Sequence, residues 1–484
     1  MKRNPRTILL TISSILCIVC ALRAQQQIGD GPAVTSHMAE SDIESGRVTF
    51  PDVIAQGQML FTVMFNRFDG QGRPGTTADA QPRPATFPAM TRVAGPEAHA
   101  CSSCHNQPRT GGGGDFATNV FLMADSVTPV KDSISPEFSN ERRTMSIFGA
   151  GPVEMLAREM SFELRDIRNA AINRAFLTAA DVSAHLVAKG IDFGSIVAHR
   201  DGSLDISGIR GISPDLVVRP FHQDGEAVSI RHFTNDAMNQ HLGIQSQERF
   251  GIDVDADGDG VANELTVGDV TAISLFLAQL ATPGQVIPDD PARKQAVQEG
   301  AAIFNSIGCA NCHIPALKLN SAMFTEPNPF NPEWKLPVTV ATPVGFDMTV
   351  QGEQPRIEST GDGGAIVRAY TDLKRHNLCD DQDQFFCNEK VAQPGIALNT
   401  FLTRKLWDVG NGGPYGHRGD LSTLTDAIEH HGGEGRPAQQ NFAGLSPERQ
   451  AAVIEFLKSL QVLPPGSPRI VSEAGLRARV RRRF

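Results

Sequence analysis

The chain is short of positive charge. Its 44 lysines and arginines are outnumbered by 54 aspartates and glutamates, giving a formal net charge of -10 at pH 7. The basic footprint that holds a nucleic-acid backbone is therefore missing, so no nucleic acid is expected as a partner. The one basic run, Arg477-Ala478-Arg479-Val480-Arg481-Arg482-Arg483, falls in a terminal stretch, 466–484, and reads as a solvated tail. Long apolar runs are missing too. After residue 24 no stretch approaches the roughly 20 apolar residues of a membrane-crossing helix, so no stable span is expected in the mature chain. Cysteine is scarce, at eight in 484 residues, and none of the pairs it forms resembles a redox-active dithiol. An appended signalling region is also lacking, which counts against a sensor.

What is present begins at the N-terminus. Lys2, Arg3 and Arg6 precede an apolar stretch from Ile8 to Leu22, broken by Thr11, Ser13 and Ser14. Small residues at Ala21 and Ala24 offer cleavage sites, so residues 1–24 read as a secretory signal peptide and the protein as periplasmic or otherwise exported. Cys17 and Cys20 leave with the signal. Cys379 and Cys387, eight residues apart, are then expected to close a small disulfide in an oxidising compartment.

The other four cysteines form one motif twice: Cys101-Ser102-Ser103-Cys104-His105 and Cys309-Ala310-Asn311-Cys312-His313. On a helical turn, positions three and four apart share a face. Two thiols and an imidazole then point the same way, the thiols to add to haem vinyl groups and the histidine to bind the iron. Two covalently bound haem c groups are expected, on Cys101, Cys104 and His105 and on Cys309, Cys312 and His313. The sixth position on each iron separates an electron carrier from a site that binds a small oxidant. Spacing alone does not choose among His222, His241, His376, His417, His430 and His431.

The expected organisation is a mobile lead-in (25–50), an N-terminal haem domain (51–285) and a C-terminal haem domain (286–465). The expected fold is mainly α, with two cytochrome c-type domains packed together and long irregular loops. Helices are read at Val53–Phe68, Phe162–Ala188, Thr266–Leu280, Pro291–Ile307 and Ser446–Leu460. Gly70 to Pro88 is rich in glycine and proline, Gly111 to Gly114 reads as a flexible loop, and 321–365 reads as loops with short strands. A weak internal echo pairs Phe221-His222-Gln223-Asp224-Gly225 with Tyr415-Gly416-His417-Arg418-Gly419, each downstream of one CxxCH.

The run Arg404-Lys405-Leu406-Trp407-Asp408-Val409-Gly410, leading to Pro414-Tyr415-Gly416-His417-Arg418-Gly419-Asp420, resembles the bacterial di-haem cytochrome c peroxidase superfamily. Within it the chain is most similar to the di-haem oxidoreductase branch, also called thiol oxidoreductases or peroxidases. Met145 to Glu154, Tyr370-Thr371-Asp372-Leu373 with His376-Asn377, and Ala427 to Glu434 carry the same resemblance. It implies that His431 stands where the peroxidases place a distal methionine, giving bis-histidine ligation with His313 and a lower potential than Met/His ligation. His417 and His376 match family histidines around the second haem. Phe221 to Gly225 matches a segment that carries a tryptophan between the haems, which is absent here. His241 stands at the family's distal glutamate, where it would either move a peroxide proton or ligate the iron. Glu154 and Arg219 are further distal candidates.

Asp253, Asp255, Asp257 and Asp259, ending at Glu264, fit a D-x-D-x-D-G loop for Ca2+, in a dockerin-like or irregular form. The function expected from all this is a peroxidase-like di-haem oxidoreductase. It would take electrons from a small redox protein or other donor at the C-terminal haem and reduce peroxide or a similar oxidant at the N-terminal one. The alternative is a non-enzymatic electron carrier with both irons six-coordinate.

Overall fold

The computed structural model describes residues 29–72, 98–115, 117–120, 140–336, 338, 343–393 and 395–481. The stretch read as a signal peptide, with Ala21 and Ala24, the start of the expected lead-in, nearly all of the Gly70–Pro88 stretch, and Arg482 and Arg483 lie outside those residues.

Two helix pairs, each built around a glycine, organise the chain. The Phe50–Thr62 helix begins with a reciprocal Thr49–Asp52 cap and lies against Val267–Ala278, which starts with the same device at Thr266 and Asp269. A Cβ on Gly57 would sit 2.1 Å from the Ala272 carbonyl oxygen, so only glycine allows this approach. The Pro291–Ser306 helix meets Pro447–Ser459 in the same manner, with the Gly300 position 1.9 Å from the Ala452 carbonyl oxygen. Leu60, Phe61, Phe148, Leu156 and Phe276 pack in the first core, and Phe304, Phe442, Val453 and Phe456 in the second. Each fully buried side chain of this kind contributes about 1.5–3 kcal/mol.

The fold is not mainly α. Among the described residues 36% are helical and 16% extended, a mixed α/β chain with several small sheets. The clearest departure is Phe162–Ala188, read from the sequence as one helix. Helix Ala150–Thr178 stops at Ala179, which turns left-handed, and Val182–Ala188 pairs antiparallel with Ile191–Ala198. Along Val182–Ala188 burial alternates: Leu186 and Ala188 face inward, His185 and Val187 outward. That is the period of a strand. The turn needs positive φ at both Lys189 and Gly190.

Short strands also fill the middle of the chain. Leu317–Leu319 pairs with Ala365–Val367, Met323–Glu326 with Val344–Asp347, and Arg375–Asn377 with Thr400–Leu402. Gly284–Ile287 is flanked by Leu460–Gln461 and Ile470–Ser472. Residues 29–50 dock on the first core through buried Val34 and Ile43, and His37 Nδ1 lies 2.6 Å from Asp269. Among the described residues no helix is long and apolar enough to cross a membrane. The Cys379–Cys387 disulfide is formed.

Candidate functional site

Each CxxCH motif lies on the wall of its own cavity. Cys101–Cys104 is a single helical turn, closed by a hydrogen bond from the His105 N–H to the Cys101 carbonyl. The following Gly111–Gly114 segment is buried and hydrogen-bonded to Asn106 and Gln107, where flexibility was expected. It is held that way because Gly112 passes so near the Gln107 carbonyl that a Cβ would lie 1.9 Å from its oxygen. This brings the Gly112 carbonyl 3.1 Å from His105 Nδ1. With Nδ1 so engaged, Nε2 is the nitrogen left to bind a metal. Burial pushes the imidazole down to about 4, so it is neutral. Phe61 and Phe233 flank the ring, at 6.2 and 6.4 Å between centroids.

The second motif is built alike. Cys309–Asn311 forms a tight turn, and the His313 N–H bonds the Cys309 carbonyl. His313 Nδ1 lies 3.0 Å from the Arg404 carbonyl and 3.2 Å from that of Tyr370. Burial, then the charge of His431, pushes this imidazole down to about 4. None of the four cysteines is in a disulfide, and burial raises the Cys101 and Cys309 thiols to about 12 and about 11. Cys101 and Cys309 are thus held as thiols.

The internal echo is structural as well. Phe221 bridges to Ala227 and Tyr415 to Leu421, each closing a small loop. A capped helix follows each loop, Ile230–Ala237 behind Ser229 and Leu424–Glu429 behind Thr423. Beyond each helix a histidine returns to the cavity of the CxxCH before it: His241 to the first, His431 to the second. His431 Nδ1 is held 2.6 Å from the Ala427 carbonyl. His430, the next residue back, stacks on Phe385 and pairs with Asp383, outside the cavity lining.

The other sequence candidates divide. His417 and His376 line the second cavity. His417 pairs with Glu389 at 2.9 Å and stacks on Phe401, while His376 is held between Asp372 and Glu434 at 2.9 and 2.8 Å. Burial opposes charge on His376, but its hydrogen bond to Asp372 prevails and raises it to about 11. Glu154 and Arg219 line neither cavity. Glu154 is fully buried, its carboxyl raised by burial, and accepts from the Ile230 N–H, Asn328 and Arg158. It anchors the start of the helix that leads to His241. Arg219 is paired with Asp215 at 2.6 Å.

Asp255, Asp257 and Asp259 bring carboxylate oxygens within 4.8 Å of one another. Asp253 is instead joined to Asn263, and Glu264 turns inward to the Gln245 N–H. The converging set thus starts two residues later than the sequence reading placed it.

Sequence reasoning passed over the partition between the cavities. Arg143 and Gln223 line both. In the strip beside them, Lys405 lines the first cavity, and Arg404 and Leu406 line the second. Burial, reinforced by Arg404, lowers Lys405 to about 8 and Arg143 to about 10. No periodic signal marks these cations, which come from the end of the Asn140–Arg143 strand and from the irregular segment at Arg404 and Lys405.

Haem c fits both places. Each offers two cysteines outside any disulfide, a neutral imidazole with Nδ1 already bonded, and a second histidine on the same cavity. The cavities measure about 170 and 350 Å³, among residues such as Phe61, Phe233, Leu277, Phe304 and Leu457.

No protein-family model matches the chain, and no curated protein matches it. Among solved structures it is similar to a MauG-like protein associated with microbial copper homeostasis, at 15% identity over 64% of this chain and 88% of that one, with a TM-score of 0.24. A likeness at that level does not establish a shared fold.

Proposed function

We propose that the protein is an exported di-haem c-type cytochrome oxidoreductase of the peroxidase type. Electrons would enter at the His313 site from a small redox protein, and peroxide or a similar oxidant would be reduced at the His105 site. The observation that carries this reading is the repeated arrangement of thiol pair, backbone-oriented imidazole and second histidine around two cavities that share a wall. Bound haem would supply the redox-active iron at each place. The protein's part is to hold that group by Cys101 and Cys104 or Cys309 and Cys312. His105 and His313 are kept neutral by burial, and their backbone acceptors fix which nitrogen faces the cavity. His431 has its Nδ1 on Ala427, which leaves Nε2 as the nitrogen that would bind the iron at the second site. Apolar walls exclude water and so strengthen the electrostatics within.

A second reading has support from one residue. His241 lines the first cavity with His105, and as a ligand it would close that site and leave a pure electron carrier. EPR during stepwise anaerobic reduction separates the two. A high-spin ferric signal from one haem, present at the start or emerging at half-reduction, is expected for the oxidoreductase. Two low-spin signals that persist throughout would refute it in favour of the carrier.

A further inference from the structure

We propose that His222, held by Glu226, delivers protons to the oxidant in the first cavity. This rests on the reading of that cavity as the place of reduction. His222 lines it. Its Nδ1 lies 3.1 Å from Glu226 Oε2, which leaves Nε2 as the nitrogen for a cavity ligand. Glu226 is about a third exposed, at 34%, so the pair links the cavity wall to solvent.

The backbone supplies an independent argument. His222 has φ +64°, a left-handed conformation that costs a non-glycine residue on the order of 1 kcal/mol or more. In the second copy of this loop the corresponding residue is Gly416, with φ +82°. The loop therefore requires the conformation at both places. The second copy meets the requirement with glycine; the first puts an imidazole there and bears the strain. Phe233 packs edge-on to His222 at 5.3 Å and also borders His105, which fixes the ring beside the cavity.

Reduction of hydrogen peroxide to two waters consumes two electrons and two protons. The electrons come from the one-electron protein donor, and the O–O bond breaks. In each delivery the Nε2–H bond of the His222 imidazolium breaks as an O–H bond forms. The Nδ1 proton stays in the bond to Glu226, and a proton from solvent restores the cation. The carboxylates around His222 favour that cation: Glu226 in its own loop, Asp224 beside it, and Asp236 at the end of the Ile230–Ala237 helix. Arg142 partly offsets Asp224 from 3.8 Å, and Lys405 stands over the neighbouring Phe221 ring.

The test is stopped-flow oxidation of the reduced holoprotein by hydrogen peroxide across pH, with haem content and spectra checked in each variant. Asparagine tolerates the left-handed backbone, so His222→Asn is expected to keep its haems, react about 100-fold more slowly at pH 7 and lose the pH dependence. Glu226→Gln, at the solvent end, is expected to retain the reaction but move its alkaline decline to lower pH. A wild-type rate and pH profile in His222→Asn would overturn the proposal, as would an unshifted profile in Glu226→Gln if the first variant fails to fold. A wild-type protein that holds two low-spin haems and does not react with peroxide would overturn the proposed function, and this inference with it.

Discussion

His430 and His431 are adjacent, yet one stacks on Phe385 and the other lines the cavity that His313 also lines. Nothing in their spacing separates them; the resemblance to di-haem peroxidases favoured His431, and the geometry gives it a cavity position. Replacing it with the softer ligand should be measurable. His431→Met is expected to raise the potential of the second haem by roughly 100 mV or more, within the ~0.8 V that axial ligands command. A spectroelectrochemical titration showing no rise, with both haems loaded, would remove His431 from the iron. The CxxCH residues were legible because their chemistry is local, three and four positions apart on one turn. His222 was not, because its distinction is a backbone conformation that shows only when its loop is laid over the second copy. Arg143 and Gln223 were illegible for a different reason: they matter through two cavities that the linear chain does not juxtapose.

Three of the helices were read almost to the residue, whereas Val53–Phe68 was not: that helix runs Phe50–Thr62 from its Thr49–Asp52 cap and ends before Val63. Pro291–Ser306 starts at Asp290 and Pro291, Val267–Ala278 at its Thr266–Asp269 cap, and Pro447–Ser459 behind Ser446. The hairpin Val182–Ala198 was lost because its apolar residues extend those of the preceding helix, and Ala179, where the helix stops, is not a residue that signals a turn. The glycine crossings were not foreseen either, since a glycine inside a helical pattern reads only as a weak spot. In the structure Gly300 is a contact. Gly300→Val would drive a side chain into the Ala452 carbonyl and part the helices that carry Phe304 and Phe456. A loss of about 1–3 kcal/mol is expected, seen as a lower midpoint in denaturant unfolding, with the haem at His313 perturbed before the other. An unchanged midpoint would mean the helices are not held at this distance.

Across the whole molecule, the first core contains more buried acid than base. Arg231 and Arg158 serve Glu154, Glu248 and Glu326, and Glu40 lies close by. Burial pushes the Glu326 carboxyl up to about 8 against the pull of Arg231, with Glu154 adding to the rise. The folded protein thus holds this proton more tightly than the unfolded chain. Its contribution is fully present below about pH 4.5 and is lost as pH rises to about 8. Glu326→Gln keeps an acceptor for Arg231 without the charge. It is expected to match the wild type near pH 4 and exceed it by roughly 1–3 kcal/mol at pH 9. Equal stability of the two at pH 9 would show that Glu326 is ionised at no cost.

Arg143 and Gln223 present a surface to each cavity, and Arg143 is further fixed by bonds to the carbonyls of Gly114 and Gly413, one from each half of the chain. Under the proposed function the two chambers would not mature as separate objects. Whichever received its prosthetic group first would set the wall against which the second was assembled, so the order of loading would become part of how the finished protein acquires its shape.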